Sequence, residues 1–118
     1  MTKHLIITNN PAVATMYPEL SSYVECSVYD VFAAVRDAVH RGARVVSHPL
    51  SGSIKPNESP YKSVVITDAT GPLDFKSLQA IEDAISMLAR LPDKKYIYDE
   101  SVLDDFRIID LDLVNSAI

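Results

Sequence analysis

Two kinds of hydrophobic pattern alternate along the first 91 residues of the chain. Short apolar runs rich in Ile and Val have the length and composition of strands in a sheet covered on both faces. Longer stretches, with apolar residues three and four positions apart, have the period of amphipathic helices. Strands are therefore predicted at residues 4–8, 22–26, 43–47 and 63–67.

Three helices are predicted in this part of the chain because each begins at a side chain that caps helix N-termini. Asn10 followed by Pro11 opens the first, since proline is favoured at the first helical position. Ser27, with Asp30 three residues later, has the spacing of a capping box for the second. The third begins after Asp74. The three helices are expected to end near residues 17, 41 and 91.

A chain of 118 residues has the size of one domain, so residues 1–118 are predicted to form a single α/β domain. The alternation predicts a three-layer sandwich with a mostly parallel, Rossmann-like sheet of about four strands. The runs at 4–8, 22–26 and 43–47 are expected to be parallel neighbours. The loops that leave their C-terminal ends would then gather at one edge, where ligands bind in such sheets.

Residues 93–118 are acidic, with seven acids against three bases. Val102 and Phe106 suit a short helix, whereas IIDLDLV fits either an alternating strand or a second helix capped by Asp110. Large apolar residues such as Leu113 are too frequent for a solvated arm, so the tail is expected to pack on the domain. Its acids are interpreted as a solvated face.

The composition argues against several kinds of function. A net charge of −5 disfavours nucleic acid, which needs clustered Lys and Arg. No segment approaches the ~20 apolar residues of a membrane span, and MTKHLIITNNP does not resemble a signal peptide, so a cytoplasmic location is expected. Cys26 is the only cysteine and is interpreted as an inert core thiol, and the three histidines lack paired spacing, so no metal site is predicted. The three glycines form no nucleotide-binding motif, and no cofactor is predicted.

The most informative segment is HPLSGSIKPNESPYKS, residues 48–63. Its first fifteen residues, 48–62, connect two predicted strands, and connections of this length are usually functional or disordered. Gly52 permits a turn that presents backbone N–H groups to an anion, while the lysines supply positive charge. The asparagines after the first strand are expected to bond to the loop backbone and hold it in place. The candidate residues for binding a ligand or partner are Asn9, Asn10, His48, Ser51, Gly52, Ser53, Lys55, Asn57, Tyr61 and Lys62.

Two interpretations of this loop stay open at this point. It can line a pocket for a carboxylate, a phosphate or an acidic peptide, or it can form a β-hairpin arm that packs on a second subunit of a homo-oligomer. No catalytic residue is assigned, and a non-catalytic accessory role is preferred. The alternative is a small enzyme that acts on an anionic metabolite, with His48 as general base and Lys55 or Lys62 orienting the substrate.

ITNNP at 7–11 together with HPLSGSIKPNESPYKS at 48–63 resembles the GrdX family, small proteins encoded alongside the glycine, sarcosine and betaine reductase complexes of amino-acid-fermenting anaerobes. The resemblance extends to LDFKSLQAIEDA at 73–84 and DDFRIIDLDL at 104–113. It implies a cytoplasmic protein linked to a selenium- and thioredoxin-dependent reductase that yields acetyl phosphate, with components of that complex as possible partners. The resemblance assigns no catalytic residue.

Overall fold

The computed structural model describes residues 3–25, 27–52, 54–92 and 98–118. Within these residues the chain forms one three-stranded sheet and four helices, so the predicted mixed α/β class is confirmed. In chain order the elements are β1 (His4–Thr8), α1 (Pro11–Met16), β2 (Ser21–Tyr23), α2 (Val28–His40), β3 (Ser63–Thr67), α3 (Phe75–Arg90) and α4 (Glu100–Ala117).

The sheet is mixed, with β1 in the centre and the strand order β2-β1-β3. β1 pairs in parallel with β2, as predicted, with Ile6 opposite Ser21. β3 runs antiparallel to β1, with Thr8 opposite Ser63. The described residues therefore do not form the mostly parallel, Rossmann-like sheet of about four strands that the alternation predicts.

The prediction that 43–47 is a strand beside β1 is wrong. Val45 makes one isolated antiparallel bridge, to Ile66 of β3. The ladder stops there because Val46 N–H and Ser47 N–H both donate to the same carbonyl of β3, at 2.8 and 3.1 Å. β3 occupies the place beside β1 that was expected for this segment. Since 43–47 is antiparallel to β3, it points the same way as β1, and both lead to the same edge of the sheet.

Helices cover both faces of the sheet, because strand side chains alternate between the faces and both are apolar. α2 and α3 pack on one face, where Phe32 and Ile81 are fully buried. α1 and α4 pack on the other face, where Val13 and Val114 join Ile6 of β1 in a second apolar cluster. This arrangement gives the three layers predicted from the sequence.

The three predicted helix starts are confirmed because the capping bonds are made. Asn10 Oδ1 accepts a hydrogen bond from Ala12 N at the start of α1. Ser27 and Asp30 form the complete capping box of α2, and Asp74 caps α3. Local signals of this kind act within one turn, so the rest of the fold does not displace them.

The C-terminal tail is one continuous helix, α4. Asp99 and not Asp110 is its N-cap, since Asp99 Oδ1 accepts from Val102 N at 3.1 Å. Val114 is buried in the cluster shared with α1, so the tail packs on the domain as expected. The other acids of α4 are exposed, but Asp110 is buried, which corrects the interpretation of the tail acids as a solvated face.

Candidate functional site

Asn9 fixes the end of the long loop to the edge of the sheet. Its side-chain Oδ1 accepts from Lys62 N at 2.8 Å, and its Nδ2 donates to Pro60 O at 2.8 Å. The backbone N–H of Asn9 also donates to Lys62 O, at 3.3 Å. An amide side chain offers both a donor and an acceptor, so Asn9 satisfies two backbone groups of the loop at once. This is the positioning role expected for an asparagine after the first strand.

A buried polar network lies behind the loop and joins β1, β3, α1 and α4. Asp110 of α4 accepts from Ser63 N at 3.0 Å, from Ser63 Oγ at 2.6 Å and from Asn10 Nδ2 at 3.0 Å. A carboxylate only accepts, so the Ser63 hydroxyl donates to Asp110. The 2.6 Å bond between Thr8 Oγ1 and Ser63 Oγ must therefore be donated by Thr8. All these buried groups are satisfied by one another, which locks the start of α1 and the middle of α4 together.

A cleft opens between the loop 48–62 and α4. It is small, with a cavity volume of ≈ 30 Å³, a little more than the minimum of about 10–15 Å³ that one water molecule needs. Its apolar walls are Ile54, Pro56, Phe106, Ile109 and Leu113. Its polar side chains include Ser51, Lys55, Tyr61, Lys62 and Asp110.

Lys62 is the buried cation of this cleft, with a residue exposure of 9%. Its Nζ donates to Ser51 O at 3.3 Å, a long bond, although an ammonium carries three donors. Burial lowers the pKa of Lys62, because removal from water disfavours the charged form, and the negative charge of Asp110 opposes this shift. An anion that enters the cleft would supply acceptors for the remaining donors of Lys62.

Arg107 of α4 holds the loop from the side of the helix. Its Nε donates to Tyr61 Oη at 3.0 Å, and its Nη2 forms an ion pair of 2.6 Å with Glu100 Oε1. The hydrogen bonds to Tyr61 and then to Glu100 are the main causes that raise the pKa of Arg107 above its usual value. Tyr98 Oη donates to Glu58 O at 2.5 Å, a second attachment of the loop. The loop thus folds back on its own chain.

The structure brings together half of the predicted candidate residues and separates the rest. The cleft is lined by Ser51, Gly52, Lys55, Tyr61 and Lys62 from the predicted set. Asn9 and Asn10 act behind it in the contacts described above, and Asn57 Nδ2 donates to Pro92 O at 3.0 Å. Ser53 lies outside the described residues, as does Cys26, the predicted inert thiol.

His48 is not part of the cleft lining. It is exposed, and its Nδ1 accepts from Leu50 N at 3.1 Å, so this nitrogen closes a local turn and is not available as a base. Ser51 N–H donates to His48 O at 2.9 Å and is therefore not directed at an anion. His48 Nδ1 and Ser51 N–H are therefore both engaged within the loop itself, and a role of either residue in binding stays a prediction.

Gly52 does adopt the turn conformation predicted for it, with φ +97°. It also touches α4: a Cβ at this position would lie 2.9 Å from Leu113 Cδ1. A side chain here would be strained and would push against the cleft wall. The glycine therefore lets the loop backbone approach the helix closely.

Sequence reasoning missed the half of the cleft that α4 contributes. Phe106, Ile109, Asp110 and Leu113 follow a helical spacing and face the loop. A signal for them exists in the sequence, because Asp110 interrupts an otherwise apolar stripe of that spacing. An acid in such a stripe must find buried partners, which here are Ser63 and Asn10.

Among the described residues, no group of three or more His, Cys, Asp and Glu side chains is arranged to hold a metal ion. None of the helices described combines the length and the apolar character required to cross a membrane.

The fold and the cleft define a small α/β protein with a small, partly polar cleft between a long loop and its C-terminal helix. The chain belongs to the GrdX-like protein family, whose model matches residues 5–118. Comparison with curated proteins and with solved structures gave no match.

Proposed function

We propose that this chain is a non-catalytic accessory or regulatory protein of a glycine, sarcosine or betaine reductase system, and that its cleft binds a small anion or an anionic part of a partner. The family is associated with glycine reductase systems, which supports the first half. Within such a system the protein would act in the cytoplasm, with reductase components as the partners to test.

The observation that supports anion binding in the cleft is the buried ammonium of Lys62, which makes one long hydrogen bond, to Ser51 O. Burying a charge without full hydrogen bonding is unfavourable, so a fold that needed only stability would place an apolar side chain here. Positions that sacrifice stability in this way are typical of binding sites. The loop brings a second cation, Lys55, to the exposed rim of the same cleft.

Binding is tested by calorimetry with phosphate, acetyl phosphate and glycine, and the partner is tested by pull-down with the native protein from cells grown on glycine. Lys62→Met is the key variant in both experiments. Lys76→Met is its matched control, because Lys76 is an exposed lysine on α3 and does not line the cleft.

The expected result is a bound anion or a captured reductase component that the Lys62 variant loses and the Lys76 variant keeps. If every anion fails to bind and the Lys62 variant captures the same proteins as the natural chain, the cleft has no binding role. The proposed function is then wrong.

A further inference from the structure

The volume of the cleft limits what it encloses. At ≈ 30 Å³ it has room for about two oxygen atoms, since one water molecule needs roughly 10–15 Å³. Sites for small molecules bury roughly 70–90% of the surface of their ligand. A ligand larger than a carboxylate group must leave most of its surface outside this cleft. A free metabolite would be in contact with water there, whereas a side chain of another protein is held by the contacts around it.

The charges of the cleft favour an anionic group inside it. Among the described residues of its lining, Lys55 and Lys62 are cationic and Asp110 is anionic, so positive charge is in excess. The oxygens of Asp110 already accept hydrogen bonds from Ser63 and Asn10. The Lys62 ammonium has three donors and makes one long hydrogen bond, of 3.3 Å, to the loop backbone. Unused hydrogen-bonding capacity in the cleft therefore belongs to a buried cation.

The surface of α4 beside the cleft is apolar, with acids on either side. Ile109 lines the cleft and is 43% exposed, and Ile108 next to it is 49% exposed. Asp105 and Asp112 are exposed and lie three or four positions from both isoleucines, which makes them neighbours on the helix surface. Protein interfaces commonly combine an apolar centre with a polar rim. A small anion in the cleft would leave this surface uncovered.

We propose that the cleft anchors a protein partner other than this chain: a glutamate or aspartate side chain of that partner enters it and accepts hydrogen bonds from Lys62 Nζ. Apolar side chains beside that acid cover Ile108 and Ile109, and basic ones pair with Asp105 and Asp112. This inference rests on the proposed function, since it selects a carboxylate of a protein from the anions that the function allows. A single side chain in a small pocket, surrounded by weaker contacts that exclude water, is the usual form of an interface hot spot.

The first test is a selection of short random peptides from a displayed library on the immobilised full chain, with the Lys62→Met variant used for counter-selection. The enriched peptides should share one glutamate or aspartate with apolar neighbours and with lysine or arginine further out. This consensus follows from the buried ammonium, the exposed isoleucines and the flanking acids of α4.

The second test is a titration of the best peptide into the isotope-labelled full chain at pH 7, followed by NMR. The amide signals of Lys62 and Ile109 should shift. The same peptide with glutamine in place of the acid should bind at least tenfold more weakly, because a charge-assisted hydrogen bond is lost. N-acetylglutamate amide, which has the acid without the flanking residues, should also bind at least tenfold more weakly.

Two pairs of variants separate the anchor from the surface around it. Lys62→Met should weaken peptide binding at least tenfold, whereas Lys76→Met, at an exposed site on α3, should not change it. Ile109→Gln should weaken the peptide several-fold and leave N-acetylglutamate amide unchanged. Met87→Gln is its control, because Met87 is 37% exposed on α3 and does not line the cleft.

The outcomes distinguish this inference from the proposed function. If acetate, phosphate or N-acetylglutamate amide binds as tightly as the peptide and depends on Lys62, the cleft is a site for small anions. The proposed function then stands and the docking surface is wrong. Enriched peptides that share no acid, or that bind the Lys62→Met variant equally well, overturn the inference, as does a selection that enriches nothing. If sedimentation shows a dimer that Lys62→Met dissociates, a second copy of this chain fills the cleft and the inference of another protein is wrong.

Discussion

Asp110 of α4 and Ser63 of β3 are joined by two hydrogen bonds, from Ser63 N at 3.0 Å and from Ser63 Oγ at 2.6 Å. Ser63 directly follows Lys62, and Asp110 itself lines the cleft. The pair therefore fixes the distance between the loop wall and the helix wall of the cleft. Most of the hydrogen bonds that Asp110 accepts lie behind the cleft.

Asp110→Ala is expected to lower the free energy of unfolding by about 2–4 kcal/mol. The substitution leaves the buried donors of Ser63 and Asn10 without their acceptor, and each unsatisfied buried group is costly. Urea denaturation measures this change. Asp112→Ala is the matched control, since Asp112 is exposed two residues away on the same helix and should shift the free energy by less than about 0.5 kcal/mol. Equal effects of the two substitutions would contradict the structural role of Asp110.

Much of the fold could be predicted from local signals, and the errors concern contacts between distant segments. The caps at Asn10, Ser27 and Asp74 are satisfied within one helical turn, so the sequence alone locates these helix starts. The partner of a strand is not a local property. β3 pairs with β1, and the segment 43–47 lies on the far side of β3. An apolar run in the sequence does not indicate which strand will be its neighbour.

Asn9→Asp is expected to loosen the loop without unfolding the domain. The carboxylate keeps an acceptor for Lys62 N but loses the donor to Pro60 O and places a negative charge beside that carbonyl. Amide exchange at Lys62 should accelerate about tenfold or more, while exchange in β1 is unchanged.

Asn115→Asp is the control for this change. Asn115 is exposed near the end of α4, and the substitution keeps the oxygen that accepts from Tyr17 Oη. Equal acceleration at Lys62 in both variants would show that the effect comes from added charge and not from the lost bond.

The candidate site could be predicted in part because one half of it is a single segment. The loop from Ser51 to Lys62 is unusual in length and composition, and this identified five of the residues that line the cleft. The other half comes from α4, nearly 50 residues away. The alternation in IIDLDLV left strand and helix equally acceptable there, since only the contact of Asp110 with Ser63 decides which face is buried.

Gly42→Ala is expected to destabilise the protein by more than about 2 kcal/mol. A Cβ at Gly42 would lie 2.3 Å from the backbone nitrogen of Gly71, and the backbone has φ +110°. Gly71→Ala is the matched variant, because Gly71 also has positive φ (+139°) but nothing lies within 4 Å of its Cβ position. It should cost only the backbone strain, about 1–3 kcal/mol. Thermal unfolding compares the two, and a larger loss for Gly71→Ala would contradict the close contact.

Lys62→Met is expected to leave the free energy of unfolding at pH 7 unchanged or to raise it by up to about 2 kcal/mol. Methionine fills similar space, and it removes a buried charge whose desolvation is not fully compensated. Burial lowers the pKa of Lys62 in the folded chain below its ordinary value of about 10.4. At pH values between the pKa of Lys62 in the folded chain and its ordinary value, the unfolded chain binds more protons than the folded chain. The free energy of unfolding therefore rises with pH in this range.

This pH dependence gives the sharper measurement. Below the folded-state pKa the ammonium is charged in both states and its desolvation penalty is present in full, whereas above about pH 10.4 the penalty is gone. The difference in stability between Lys62→Met and the natural chain should therefore shrink as pH rises from 7 to 10, measured by urea denaturation. Lys76→Met, at an exposed site, should show no such trend. A Lys62 variant that is clearly less stable than the natural chain at pH 7 would show that the ammonium stabilises the fold, which would remove the main reason for assigning it to a ligand.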